Sequence, residues 1–131
     1  MLTHITHITL FVADQAEALA WYMKLGFVVH TDVQFGESRW LTISFPDQKT
    51  LEVALVLALT DDEKKLVGKQ GVSDKPVMSF ETTNCRGDYE QLQQQGVSFV
   101  EAPVEHPWGV AVAFFDLYGN MLYMCQSRLN A

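Results

Sequence analysis

From His7 to Val12 the side chains alternate, with Ile8, Leu10 and Val12 set for one face and His7, Thr9 and Phe11 for the other. A period of two predicts a β-strand with one face against a core. Asp14 follows as a polar residue suited to cap a helix, with Glu17 placed to complete a capping box. Leu19, Tyr22 and Met23 then recur at helical spacing, and Gly26 stands where the helix would end on a positive φ. The same grammar returns after a shift of 70 residues, from 8 to 78. Met78 to Thr82 matches Ile8 to Val12, Asn84 matches Asp14, Tyr89 and Leu92 match Leu19 and Tyr22, and Gly96 matches Gly26. Such self-similarity predicts two copies of one supersecondary unit.

Three extended segments are expected after each glycine. In the first copy they run from Phe27 to Gln34, Arg39 to Phe45 and Thr50 to Ala58, and in the second from Val97 to Val104, Val110 to Phe115 and Met121 to Gln126. Turn-forming runs such as Gly36-Glu37-Ser38, Pro46-Asp47-Gln48, His106-Pro107-Trp108-Gly109 and Asp116-Leu117-Tyr118-Gly119-Asn120 separate them. Each copy is therefore a βαβββ module, and the class is α+β. The chain reads as one domain over residues 1–131: module one at 1–59, a polar linker at 60–75 with a short helix near Asp61 to Val67, and module two at 76–128. Carrying the alternation through, Glu52, Ala54 and Val56 should join His7, Thr9 and Phe11 on the face turned away from the helix, with Val77, Ser79, Glu81, Tyr123 and Cys125 on the corresponding face of the second copy.

Composition narrows the function classes. With 48% hydrophobic and 19% charged residues the chain has ample material for a core. A net charge of −7 with only nine Lys and Arg argues against nucleic acid or an anionic membrane as partner, since both need clustered cations. No basic-then-apolar leader opens the sequence, and the most apolar run, Leu51 to Leu59, carries Glu52 and is too short to span a bilayer. Cys85 and Cys125 form no CxxC, which fits a reducing compartment, so a cytoplasmic location is expected. Nucleophile elbows and phosphate-cradling loops of the GxSxG, GxxxxGK[ST] or GxGxxG type are absent.

His7-Ile8-Thr9-Leu10, Trp21-Tyr22-Met23-Lys24-Leu25-Gly26-Phe27 and Asp116-Leu117-Tyr118-Gly119-Asn120 together resemble the vicinal oxygen chelate superfamily of glyoxalases, bleomycin-resistance proteins and extradiol dioxygenases. Arg39-Trp40 and Pro107-Trp108-Gly109 add to the likeness, which covers nearly the whole chain. The resemblance implies two tandem βαβββ modules forming a curved mixed sheet around a central cavity, and a homodimer. It also implies a divalent metal held at four strand positions, acting as a Lewis acid on two neighbouring substrate oxygens. Carried across, those positions are His7, Glu52, Val77 and Tyr123. An imidazole and a carboxylate are sound ligands, but valine has no donor and a neutral phenol is a poor one, so the metal site, His7 with Glu52, is incomplete and no cofactor is expected.

Several readings stay open at this level. His7 and Glu52 are the catalytic candidates, as an acid–base pair or as partial metal ligands; equally, His7 is a cavity-lining histidine hydrogen-bonded to Glu52. Phe11, Arg39, Trp40, Trp108 and Tyr123 are candidate ligand-binding residues, joined by Phe35, and suggest an apolar or aromatic small molecule. For each aromatic the alternative is plain packing, and for Arg39 a surface contact with Trp40. His4, His30 and His106 are read as solvent-side residues, His106 near the cavity mouth. The function expected is small-molecule binding of the glyoxalase/bleomycin-resistance type, with a lyase, isomerase or dioxygenase of the same superfamily as the alternative.

Overall fold

Alternation at the start of the chain is realised as β1 (His7–Val12), in which Leu10 and Val12 are buried while His7 and Thr9 stay exposed. In the computed structural model, which describes residues 1–128, the strand is followed by α1 (Gln15–Met23). Asp14 caps this helix by accepting the Glu17 backbone N–H at 2.9 Å. Its buried stripe is Ala18, Trp21 and Tyr22; Leu19 is half-buried and Met23 exposed, so the stripe lies one residue toward the N-terminus of the expected one. Small Ala18 lets the helix sit close to the sheet, and that rotation is what turns Met23 outward.

Three antiparallel strands complete the first module: β2 (Val28–Phe35), β3 (Ser38–Phe45) and β4 (Gln48–Leu57). The sheet order is β1-β4-β3-β2, with β1 and β4 parallel and His7 opposite Glu52. On the α1 side lie Leu10, Val12, Leu41, Ile43, Val53 and Leu55, all buried. Gln15 fastens the helix start to the sheet, its amide donating to the Arg39 and Leu55 carbonyls at 2.9 Å each. A short α2 (Asp61–Leu66) follows, capped by Thr60 with Glu63 returning a bond to the Leu59 N–H, much as a reciprocal capping box does.

The second module repeats the plan with β5 (Met78–Glu81), α3 (Cys85–Gln94), β6 (Ser98–Phe99), β7 (Val104–His106), β8 (Gly109–Phe115) and β9 (Met121–Ser127). Its order is β5-β9-β8-β6, again with the first and last strands parallel, and β7 also pairs with β8. The segment expected to be one strand from Val97 to Val104 is thus two short pieces on the same neighbour. Pro103, which has no N–H to give a ladder, falls in the gap. Asn84 caps α3 through the Gly87 N–H, and Gly26 and Gly96 both hold positive φ, at +104° and +89°, as the duplication requires. The chain divides into two compact units, Met1–Val67 and the residues from Gly68 onward. The expected linker is therefore shared: α2 belongs to the first unit, while residues 68–75 fold onto the second.

At the start of α3 the Cys85 thiol is buried, which pushes its pKa from 9.0 up to about 11, with the nearby Cys125 and Asp88 adding to the rise. The folded state therefore holds the proton more tightly than the unfolded chain. Stability from this source is intact below pH 9 and should fall as the pH climbs from 9 toward 11. Urea unfolding across that window should show the decline, and Cys85→Ala should flatten it.

Candidate functional site

The face of the first sheet turned away from α1 carries most of the chemistry. Along β3, Trp40, Thr42 and Ser44 point there, opposite Leu41 and Ile43. Along β4 Glu52, Ala54 and Val56 share it, and along β1 His7, Thr9 and Phe11. The edge strand β2 contains an irregularity between Val29 and Thr31: Val29 pairs with Ile43 and Thr31 with Thr42, leaving His30 as an extra residue. A bulge of this kind re-aims the side chains that follow it. Here it sets His30 and Thr31 together against Thr42, and turns Asp32 to the opposite face beside Arg39.

His30 consequently meets Glu52. Its Nδ1 lies 2.9 Å from Glu52 Oε1, and Thr42 Oγ1 donates to the same carboxylate oxygen at 2.6 Å. Glu52, embedded in an apolar run, thereby gains the partners that a carboxylate at 20% side-chain exposure requires. His30 is exposed, as expected, yet its ring is paired. One expectation is corrected: the hydrogen-bond partner of Glu52 is His30 rather than His7. Although His7 and Glu52 stand directly opposite each other across the β1–β4 pair, the His7 ring turns to Trp40, edge-on with centroids 5.2 Å apart. The signal missed in the sequence was the bulge: considering β1 and β4 alone leaves β2 out of the face it completes.

A cleft of about 340 Å³ opens at the end of the same sheet. Trp40, Phe35, Val56, Leu57 and Leu59 supply its apolar wall, and Gln15, Glu37, Ser38 and Arg39 its polar margin. Phe35 is 65% exposed and Leu59 66%, so the mouth presents large apolar groups to solvent. Arg39 is gripped by Asp32 in a bidentate pair, Nε to Oδ1 at 2.9 Å and an Nη to Oδ2 at 2.8 Å. That bond holds the Asp32 carboxyl below its usual pKa and raises that of Arg39. Phe11, half-buried on β1, pairs with Val56 of the cleft wall. Trp108 and Tyr123 meet in the second unit, where the indole N–H donates to the Tyr123 hydroxyl at 3.3 Å and the ring stacks on His106 with centroids 4.3 Å apart.

The donor set does not fit the metal site that the resemblance implies. The Glu52 oxygen facing the sheet is taken by an imidazole N–H and a hydroxyl, and the His7 ring is set against indole. Register also shifts the internal correspondence. Ile8 pairs with Val53 and Met78 with Leu122, so the second-unit counterpart of Glu52 is Met121, while Tyr123 corresponds to Ala54. Neither Met121 nor Tyr123 replaces a carboxylate, and Val77 has no donor. Among the described residues no group of three or more His, Cys, Asp or Glu side chains is placed to hold a metal ion. Nor is any helix among them long and apolar enough to cross a membrane.

Comparison with known proteins agrees with the architecture. Residues 4–124 match the family model of the Glyoxalase/Bleomycin resistance protein/Dioxygenase superfamily, and the chain belongs to that superfamily. It is 31% identical over 129 residues to an uncharacterised protein of Shewanella frigidimarina, covering 96% of this chain and 95% of that protein. The crystal structure of UcmS2 is similar at a TM-score of 0.83 and 35% identity, over 97% of this chain and all of that one (100%). TnmS3, an antibiotic binding protein from Streptomyces sp. CB03234, shares the fold at a TM-score of 0.73 and 22% identity, over 96% of this chain and 97% of that one.

Proposed function

We propose that the protein binds a small molecule with an aromatic or apolar body, and that it does so without a metal ion. The cleft walled by Trp40 and Phe35 carries this reading. Its volume stands at the lower end of the ~300–1,000 Å³ usual for ligand sites, and its lining, apolar with a few polar groups at the margin, is the kind that such sites use. The fold relative TnmS3 is an antibiotic binding protein, which accords with a binding role, although a shared fold alone does not carry function across.

Trp40 should matter most, because it joins the cleft to the His7 ring and offers the largest flat surface. Removing one indole face from contact with a ligand exposes on the order of 60 Å² of apolar area, about 1.5 kcal/mol or roughly tenfold in affinity. Calorimetric titration with 2-methoxynaphthalene, a neutral two-ring probe, should therefore give saturable binding that weakens about tenfold in Trp40→Ala. Saturable binding unchanged by that substitution would place the ligand elsewhere.

A second reading, acid–base catalysis by a member of the same superfamily, is favoured by the paired carboxylate and imidazole of Glu52 and His30. It predicts turnover of a bound compound and its loss in Glu52→Gln.

A further inference from the structure

The pairing of His30 with Glu52 leaves one ring nitrogen free, and its orientation defines a chemistry. Nδ1 of His30 has oxygen on two sides, Glu52 Oε1 at 2.9 Å and Thr31 Oγ1 at 2.8 Å. A carboxylate oxygen only accepts, so a proton belongs on Nδ1, and in the neutral tautomer that this pairing selects Nε2 carries the lone pair. Nε2 has no partner among the described residues, and the His30 side chain is 30% exposed, so this lone pair is open to a donor. Glu52 is itself steadied by the Thr42 hydroxyl at 2.6 Å, so the acceptor is held from behind by two hydrogen-bonded groups. Positions with this support lose little entropy when they bind.

The acceptor lies on the Trp40 face of the sheet, beyond the residues that line the cleft. Trp40 pairs with Val33 and Thr42 with Thr31, so His30 sits three residues along β2 from the partner of Trp40, roughly 10 Å at the usual rise per residue. Between them the face is continuous: Trp40 touches His7, and His7 stands opposite Glu52. Resting on the reading of the cleft as a ligand site, we infer that His30 is a specificity-determining anchor for a ligand hydroxyl of phenol or enol type. The aromatic body lies on Trp40 and its O–H donates to Nε2, while Glu52 and Thr42 act as positioning residues. A hydroxyl that is a good donor and a modest acceptor suits this lone pair, whereas the corresponding methyl ether has no proton to give.

The test compares 2-naphthol with 2-methoxynaphthalene on the wild type, His30→Ala and His30→Phe, by calorimetric titration. The wild type should bind 2-naphthol about tenfold more tightly, the worth of one hydrogen bond to an otherwise unpaired acceptor. Both variants should lose that preference while keeping the affinity for the ether. The phenylalanine variant retains the ring's bulk, and the ether titration reports that the fold and the cleft are intact. Equal affinity for the two compounds in the wild type, or a preference that survives both substitutions, would overturn the anchor while leaving the cleft reading in place. Failure of the wild type to bind either compound would overturn the cleft reading and the anchor with it.

Discussion

Asn120→Ala should lower the free energy of unfolding by about 3 kcal/mol, with a fall in Tm of roughly 10 °C. Asn120 is fully buried, and its side-chain oxygen accepts the Gln70 N–H at 2.9 Å and the Gly71 N–H at 3.3 Å. Its amide nitrogen donates to Asp116 Oδ2 at 2.9 Å, and Asp116 Oδ1 takes the backbone N–H groups of Tyr118 and Asn120 at 2.9 Å each. One side chain thus closes the β8–β9 turn and binds the segment that opens the second unit to it. Alanine would remove three hydrogen bonds from buried and part-buried groups, each at a cost of about 1–3 kcal/mol, partly relieved by relaxation. Asn120→Asp preserves the acceptor but sets a second carboxylate against Asp116, so it too should destabilise. Urea unfolding of the three proteins measures the effect, and a change within about 0.5 kcal/mol for alanine would contradict this role.

Gly68→Ala should cost a comparable amount, about 3 kcal/mol, for two separable reasons. Gly68 has φ of +76°, which an L side chain tolerates poorly, and a Cβ there would lie 2.0 Å from the Tyr118 carbonyl oxygen. Gly36 supplies the control, since at φ of +58° it has nothing within 4 Å of a built Cβ. Gly36→Ala should therefore show the backbone cost alone, about 1 kcal/mol, and the difference between the two substitutions measures the clash. Gly68 and Gln70 are pressed against the β8–β9 turn that Asn120 organises.

Much of this architecture was legible in the chain because its devices are local. Asp14 and Asn84 cap as their types suggest, Gly26 and Gly96 take positive φ, and the 70-residue repeat carries both modules with it. Alternation along β1 placed Leu10 and Val12 against the core correctly. What escaped depends on pairing between distant segments. The break between β6 and β7 follows from how both pieces dock on β8, and the sequence shows Pro103 without showing that β8 is long enough to hold two partners. His30 was missed because a bulge adds one residue to β2, and nothing in Val28-Val29-His30-Thr31 marks where the extra residue will fall. His7 and Glu52 stand side by side as expected, yet rotamers decide contact: the His7 ring goes to Trp40 and the Glu52 carboxylate to His30. The cleft combines a turn, a helix start and the residues after β4, a convergence that no single periodicity expresses.

In the proposed ligand site an aromatic wall, rather than a coordinated ion, does the holding. Titration of chelator-treated protein with 2-methoxynaphthalene, repeated after adding excess Mn²⁺, tests this most directly. Saturable binding with the same affinity before and after the metal is the result predicted. Binding that is absent from the metal-depleted protein and appears only when Mn²⁺ is restored would contradict it.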